Sequence, residues 1–184
     1  MHLKTSAGRA LALAVAAVGL LAIAGTARAQ TPPNGSEIPA SVEMGHADAL
    51  SHLEALSRHP GRVGTIARET LAAMKGHIAR EDSYIKPPLT LLPYLADGKV
   101  TPDMAWAIPM ADRLRADREV IQQEHNRINT LLTELRDAGR VAHDRAAMEV
   151  AVTLAGESLD DMEIQEPTVL LIGDYLKTRL QPAK

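Results

Sequence analysis

Cysteine and phenylalanine are both missing from this 184-residue chain, and its aromatic residues amount to one Trp and three Tyr. Without thiols there is no disulfide, no thiolate nucleophile and no cysteine-held cluster, so a metal would have to rest on His, Asp or Glu. With so few rings, a core must be filled by Leu, Ile, Val, Ala and Met. That mixture favours helix over sheet and allows helices to approach closely. An excess of basic charge is missing too: 20 Lys and Arg stand against 23 Asp and Glu. Nucleic acid is therefore not an expected partner.

The basic residues are also unevenly placed. Lys4 and Arg9 precede an uninterrupted apolar run over residues 10–25, and residues 1–29 contain no acid. This is the pattern of a secretory signal peptide, and Ala27, Arg28 and Ala29 supply the small-residue cleavage pattern. Cleavage after Ala29 would leave Gln30 as the first residue of a periplasmic or secreted protein with no membrane segment. The leader takes three of the 20 basic residues and none of the acids, leaving 17 against 23, a formal charge of −6. The rival reading, a retained membrane anchor, needs a longer apolar run.

Residues 30–40 (QTPPNGSEIPA) hold three Pro and no periodicity and read as a linker. Residues 41–184 form a single domain. Leu50, Leu53 and Leu56 give a first helix closed by His59, Pro60 and Gly61. A second runs from about Thr65 to Ile85 and stops at Pro87 and Pro88. Thr101, Pro102 and Asp103 start a short helix that Pro109 breaks. Leu114, Ile121, Ile128, Leu132 and Leu135 then stripe a long helix as far as Gly139. The last begins after Arg140 and continues through Pro167. Four principal helices with short joints predict an all-α, up-down-up-down four-helix bundle.

His77 and Glu81 are four residues apart on the second helix, on a face shared with Ile66, Ala73 and Tyr84, so both should point inward. A buried carboxylate needs a positive partner. Glu157, Asp161 and Pro167 repeat the spacing of His77, Glu81 and Pro87, and Val150, Leu154 and Ile164 extend that second stripe. Gly45, Gly76 and Gly156 immediately precede His46, His77 and Glu157, which suggests crowding that only Gly tolerates. His125 lies between Ile121 and Ile128. His46 lies ahead of Leu50 and Leu53, with His52 as second choice on the same helix. His46, His77, Glu81, His125, Glu157 and Asp161 are thus six candidate ligands on four helices, enough for two metals with shared carboxylates. Tyr84 is either a hydrogen-bond donor to Glu81 or a core ring. His59 and His143 fall at helix ends and are not expected to be ligands. Arg118 could pair with a buried acid or reach the end of the bundle.

The order His, His-x3-Glu, His on successive helices resembles the hemerythrin-like (HHE cation-binding) family over roughly residues 41–180. The departure is on the fourth helix, where Glu157-x3-Asp161 stands in place of His-x3-Glu. The resemblance implies a hemerythrin-like bundle with a non-haem di-iron centre that binds dioxygen or serves sensing and iron handling. Manganese or zinc are alternative occupants, and dioxygen, peroxide or iron itself the small partners. A carboxylate in place of an imidazole hardens the site and favours ferric over ferrous iron. The leading expectation is therefore ferrous oxidation, or reduction of oxygen or peroxide, rather than reversible oxygen carriage. The alternatives are a metal-binding or sensing module without turnover, and a structural bundle whose site has decayed.

Overall fold

The computed structural model describes residues 34–180 apart from Ser36. The leader, its cleavage point and the first part of the linker lie outside the described residues. Where the linker is described it is irregular, and Gly35, at φ +86°, sits against the Trp106 indole, where a Cβ would lie 2.8 Å from the ring.

Among the described residues all regular structure is helical. The elements are α1 (Ala40–Leu56), α2 (Gly61–Arg80), a π-helical turn (Glu81–Ile85), a 3₁₀ turn (Pro87–Leu91), α3 (Leu92–Ala96), a second 3₁₀ turn (Pro102–Met104), α4 (Ala107–Ala142), α5 (Arg145–Asp160), a second π turn (Asp161–Gln165) and α6 (Glu166–Leu180). The long α4 packs against α2, α5 and α6, and α1 packs against α2 and α5. No helix among the described residues is long and apolar enough to cross a membrane.

Several element boundaries differ from the sequence expectation. Pro109 does not break a helix. It lies in the first turn of α4, where a missing N–H costs nothing because no intrahelical acceptor is available. Gly139 does not end that helix either. The chain continues to Ala142 and is turned by His143 in the left-handed conformation at φ 55°, with Asp144 N–H donating to the Gly139 carbonyl at 2.8 Å. Asp144 then caps α5 by accepting from Ala147 N–H at 3.1 Å. Its other oxygen meets His59 Nδ1 at 2.6 Å, which ties the α1–α2 joint to the α4–α5 joint.

The apolar interior divides into two clusters. One gathers Leu53, Ile66, Ile128, Leu132 and Leu154, the other Tyr84, Ile85, Leu114, Ile121 and Leu176. Along α2 and its continuation, His77 and Glu81 fall between the two clusters. On α4, His125 does the same, as do Ser158 and Asp161 on α5 and its continuation. A polar layer therefore cuts across the core at one level.

Candidate metal centre

Glu81 and Asp161, which match in the repeat, each open a π turn. Lys86 N–H donates to the Glu81 carbonyl at 2.8 Å, and Glu166 N–H donates likewise to that of Asp161. In an α-helix, five residues turn through about 500°, leaving the fifth side chain some 140° away from the first. A turn closed by i→i+5 bonds brings it back over the first. Lys86 and Glu166 are consequently carried inward, onto the faces of Glu81 and Asp161. The same change of phase turns Ile164 outward to 59% exposure. The sequence expectation had placed Ile164 on the inner stripe, because an uninterrupted helix would have put it there.

His77 and Glu81 are almost wholly buried, and Asp161 faces them from the second half of the repeat. Donor atoms of these three residues all lie within 4.8 Å of one another. Nδ1 of His77 donates to Glu124 Oε2 at 3.1 Å, and Glu124 is itself held by Arg80 Nε at 3.0 Å. With Nδ1 engaged on that side, Nε2 is turned toward Glu81 Oε1, 3.6 Å away. His77 Nε2 makes no hydrogen bond, whereas Glu81 Oε1 is met by the Lys86 ammonium at 2.9 Å. A buried ring nitrogen without a partner is costly unless a cation or a donor meets it. A histidine whose far nitrogen is held by a carboxylate is also the usual arrangement of a metal ligand. The residues present fit a cation.

His46 approaches from α1, with Nε2 3.4 Å from Glu81 Oε2 and Nδ1 3.1 Å from Asp82 Oδ1. Burial works against its charged form, but Glu81 and Asp82 outweigh this and raise its pKa. His125 is placed differently. Its Nδ1 meets Ser158 Oγ at 3.1 Å and its Nε2 meets Glu166 Oε1 at 2.8 Å, so both ring nitrogens are occupied. It touches the centre through its ring, packed edge-on against His77 with centroids 4.5 Å apart. Glu157 is exposed, at the rim of a cavity of about 260 Å³ that opens between α1 and α5 and reaches His46, His77, Glu81 and Asp161. His52 is exposed, as is Arg118.

Lys86 is the residue that reading the sequence missed. It is 1% exposed, its Nζ lies 2.9 Å from Glu81 Oε1, and it donates to Asp161 Oδ1 and, at 3.1 Å, to Gln165 Oε1. Burial disfavours the ammonium, but the two acids outweigh that and raise its pKa. The acids themselves are pushed apart. Burial alone would raise Glu81, yet His46, Lys86 and His77 hold it well below the usual carboxylate range. Burial and then the Glu81 charge raise Asp161, against the pull of Lys86. Partial desolvation at the cavity rim and Asp161 likewise raise Glu157.

Two other expectations are corrected. Gly45, Gly76 and Gly156 are not crowded, since a Cβ at any of them would meet nothing within 4 Å. They sit beside the inward residues, about 100° around the helix, where there is open space. Close approaches fall instead at Gly64, where a Cβ would lie 1.9 Å from the His59 carbonyl oxygen, and at Gly173, where it would lie 2.3 Å from the Cβ of Ala111. Tyr84 does not reach Glu81. Its hydroxyl donates to Asp117 at 2.8 Å and its ring lies 4.3 Å beneath the Arg113 guanidinium.

Comparison with protein-family models, with curated proteins and with solved structures finds no match to this chain.

Proposed function

We propose that this chain is an exported metal-binding protein of the hemerythrin-like kind: a four-helix bundle, formed by α1, α2, α4 and the α5–α6 helix, that holds non-haem iron in its polar layer. The observation that carries this reading is the buried, unpartnered Nε2 of His77, which faces Glu81 within a cluster of His77, Glu81 and Asp161 donor atoms. His77, Glu81 and Asp161 would hold the ion, with His46 close enough to join them. An imidazole with two carboxylates suits iron, and also manganese or zinc. Iron bound there would supply ferrous oxidation, or reduction of oxygen or peroxide, through the cavity that opens beside the acids. The chain's own part is to fix the His77 tautomer through Glu124, to keep Glu81 ionised, and to set the half-buried His46 at the cavity, where it can take up or release a proton.

One observation favours a second reading. Lys86 neutralises part of the charge of Glu81 and Asp161 with no metal at all, as it would in a structural bundle whose site has decayed. Metal analysis separates the two. After anaerobic reconstitution with ferrous iron and removal of the excess, the full chain should retain iron, and His77→Ala should retain much less. Iron absent from both, in chains whose helical content is intact, would leave the structural reading standing.

A further inference from the structure

We infer that the Lys86 ammonium occupies the place between Glu81 and Asp161 that a second cation would need, so that this centre takes one metal ion and a lysine where the repeat would otherwise favour two ions. This rests on the metal-binding reading above and decides the form of the centre.

The geometry begins with the acids. Glu81 and Asp161 hold equivalent positions in the two halves of the repeat, at the start of matching π turns, and a pair of carboxylates so placed is suited to sharing two cations. Lys86 Nζ lies against both. An ammonium has three donors, and those of Lys86 have three acceptors at hand in Glu81, Asp161 and Gln165. The side chain is 1% exposed and is aimed by the π turn, so it is a fixed part of the layer rather than a surface lysine folded inward.

Charge points the same way. Glu81 and Asp161 together bring two negative charges and Lys86 returns one. A divalent ion added beside the ammonium already leaves the group one charge positive, and a second would add two more in a layer walled by apolar clusters. The remaining donors are not gathered for a second ion either. Glu166, which matches Lys86 in the other half of the repeat, is spent on His125 Nε2, and Ser158 meets its Nδ1. Glu157 stands exposed at the cavity rim.

The test is anaerobic titration of the metal-free full chain with ferrous iron, reading bound iron per chain and the melting temperature, for wild type, Lys86→Gln, Lys86→Met and Lys86→Arg. Wild type and Lys86→Arg should bind one iron, and the two neutral variants two. Without metal the neutral variants should melt below wild type, and iron should raise their melting temperature by more than it raises that of wild type. Two irons in wild type would overturn the inference while leaving the metal-binding reading intact, as would one iron in both neutral variants. Neutral variants that stay unfolded in saturating ferrous iron would overturn it too, because a second ion should supply the missing charge. Iron bound by the neutral variants but not by wild type would make Lys86 a replacement for the metal altogether, against this inference and the metal reading alike. No iron in any of the four would overturn both.

Discussion

Lys86 and Glu166 occupy the same place in the two halves of the repeat, each five residues beyond an acid that opens a π turn, and each is swung by that turn onto the polar layer. They carry opposite charge and do different things there: Lys86 pairs with Glu81 and Asp161, whereas Glu166 holds His125. The two halves of the repeat are therefore alike in backbone and unlike in electrostatics.

Glu124 meets Nδ1 of His77, on the side of the ring away from the proposed centre. Glu124→Gln keeps an acceptor for His77 Nδ1 but removes the charge, and Glu124→Ala removes both. Loss of such a supporting carboxylate typically weakens metal affinity by about 10–100-fold. Glu124→Ala should fall in that range and Glu124→Gln should lose less, as measured by competition with a chelator of known affinity. Equal affinity in wild type and both variants would mean that the Glu124 contact does not position a ligand.

His125 divides the six sequence candidates. Both its nitrogens are bonded, to Ser158 and Glu166, and if that role is structural His125→Asn should lower stability by about 1–3 kcal/mol through unpaired polar groups. Iron stoichiometry should be unchanged. A folded His125→Asn chain that has lost its iron would place His125 among the ligands after all.

Glu81 contributes to the acid limb of the stability curve in the metal-free chain. Its folded pKa is lowered from 4.5 to about 2, so its ionised form adds stability above pH 4.5 that is lost as the pH falls toward about 2. Asp161 works in the opposite sense. Its raised pKa means that ionisation costs the folded state as the pH climbs above 3.8. Glu81→Gln should thus lie below wild type near neutral pH, by on the order of 3 kcal/mol at about 1.36 kcal/mol per pKa unit. The gap should close as the pH is lowered through that window. A gap constant with pH would mean that the Glu81 charge is not held by its neighbours.

Glycine supplies a test of packing. Gly76 and Gly156 lie within helices with open space around the missing Cβ, so Gly76→Ala should stabilise the chain by about 0.5–1 kcal/mol. Gly173→Ala brings a methyl within 2.3 Å of the Ala111 Cβ and should cost about 1–3 kcal/mol as α4 and α6 separate. Thermal denaturation of the two single variants should move the melting temperature in opposite directions.

These contrasts show what the sequence carries and what it hides. Helical periodicity gave the helices and put His77, Glu81 and His125 inside, because along an unbroken helix spacing alone decides which residues share a face. The spacing shared by His77, Glu81 and Pro87 with Glu157, Asp161 and Pro167 also pointed to a backbone feature that really is repeated. What could not be read was the π turn, since nothing in Glu81–Ile85 departs from an ordinary helical composition. Every residue within and beyond such a turn changes phase. Ile164 was therefore expected inside and is exposed, and Lys86, which counting by 3.6 assigns to the wrong face, is at the centre. A signal was present even so: the repeat aligns Lys86 with Glu166, and opposite charges at matching positions just before a Pro merit inspection. Glu124 was overlooked because it adjoins His125, although its partner proves to be His77, across the helix interface.

The claim on which everything else depends is that His77, Glu81 and Asp161 together hold a metal ion. Optical titration of the metal-stripped full chain with cobalt(II), anaerobically and beside His77→Ala, tests it directly. Wild type should develop visible d–d absorption that saturates at a defined ratio of ion to chain, and His77→Ala, folded to the same helical content, should show weak absorption that does not saturate. Indistinguishable titrations in the two chains, or no cobalt absorption in either, would contradict the account.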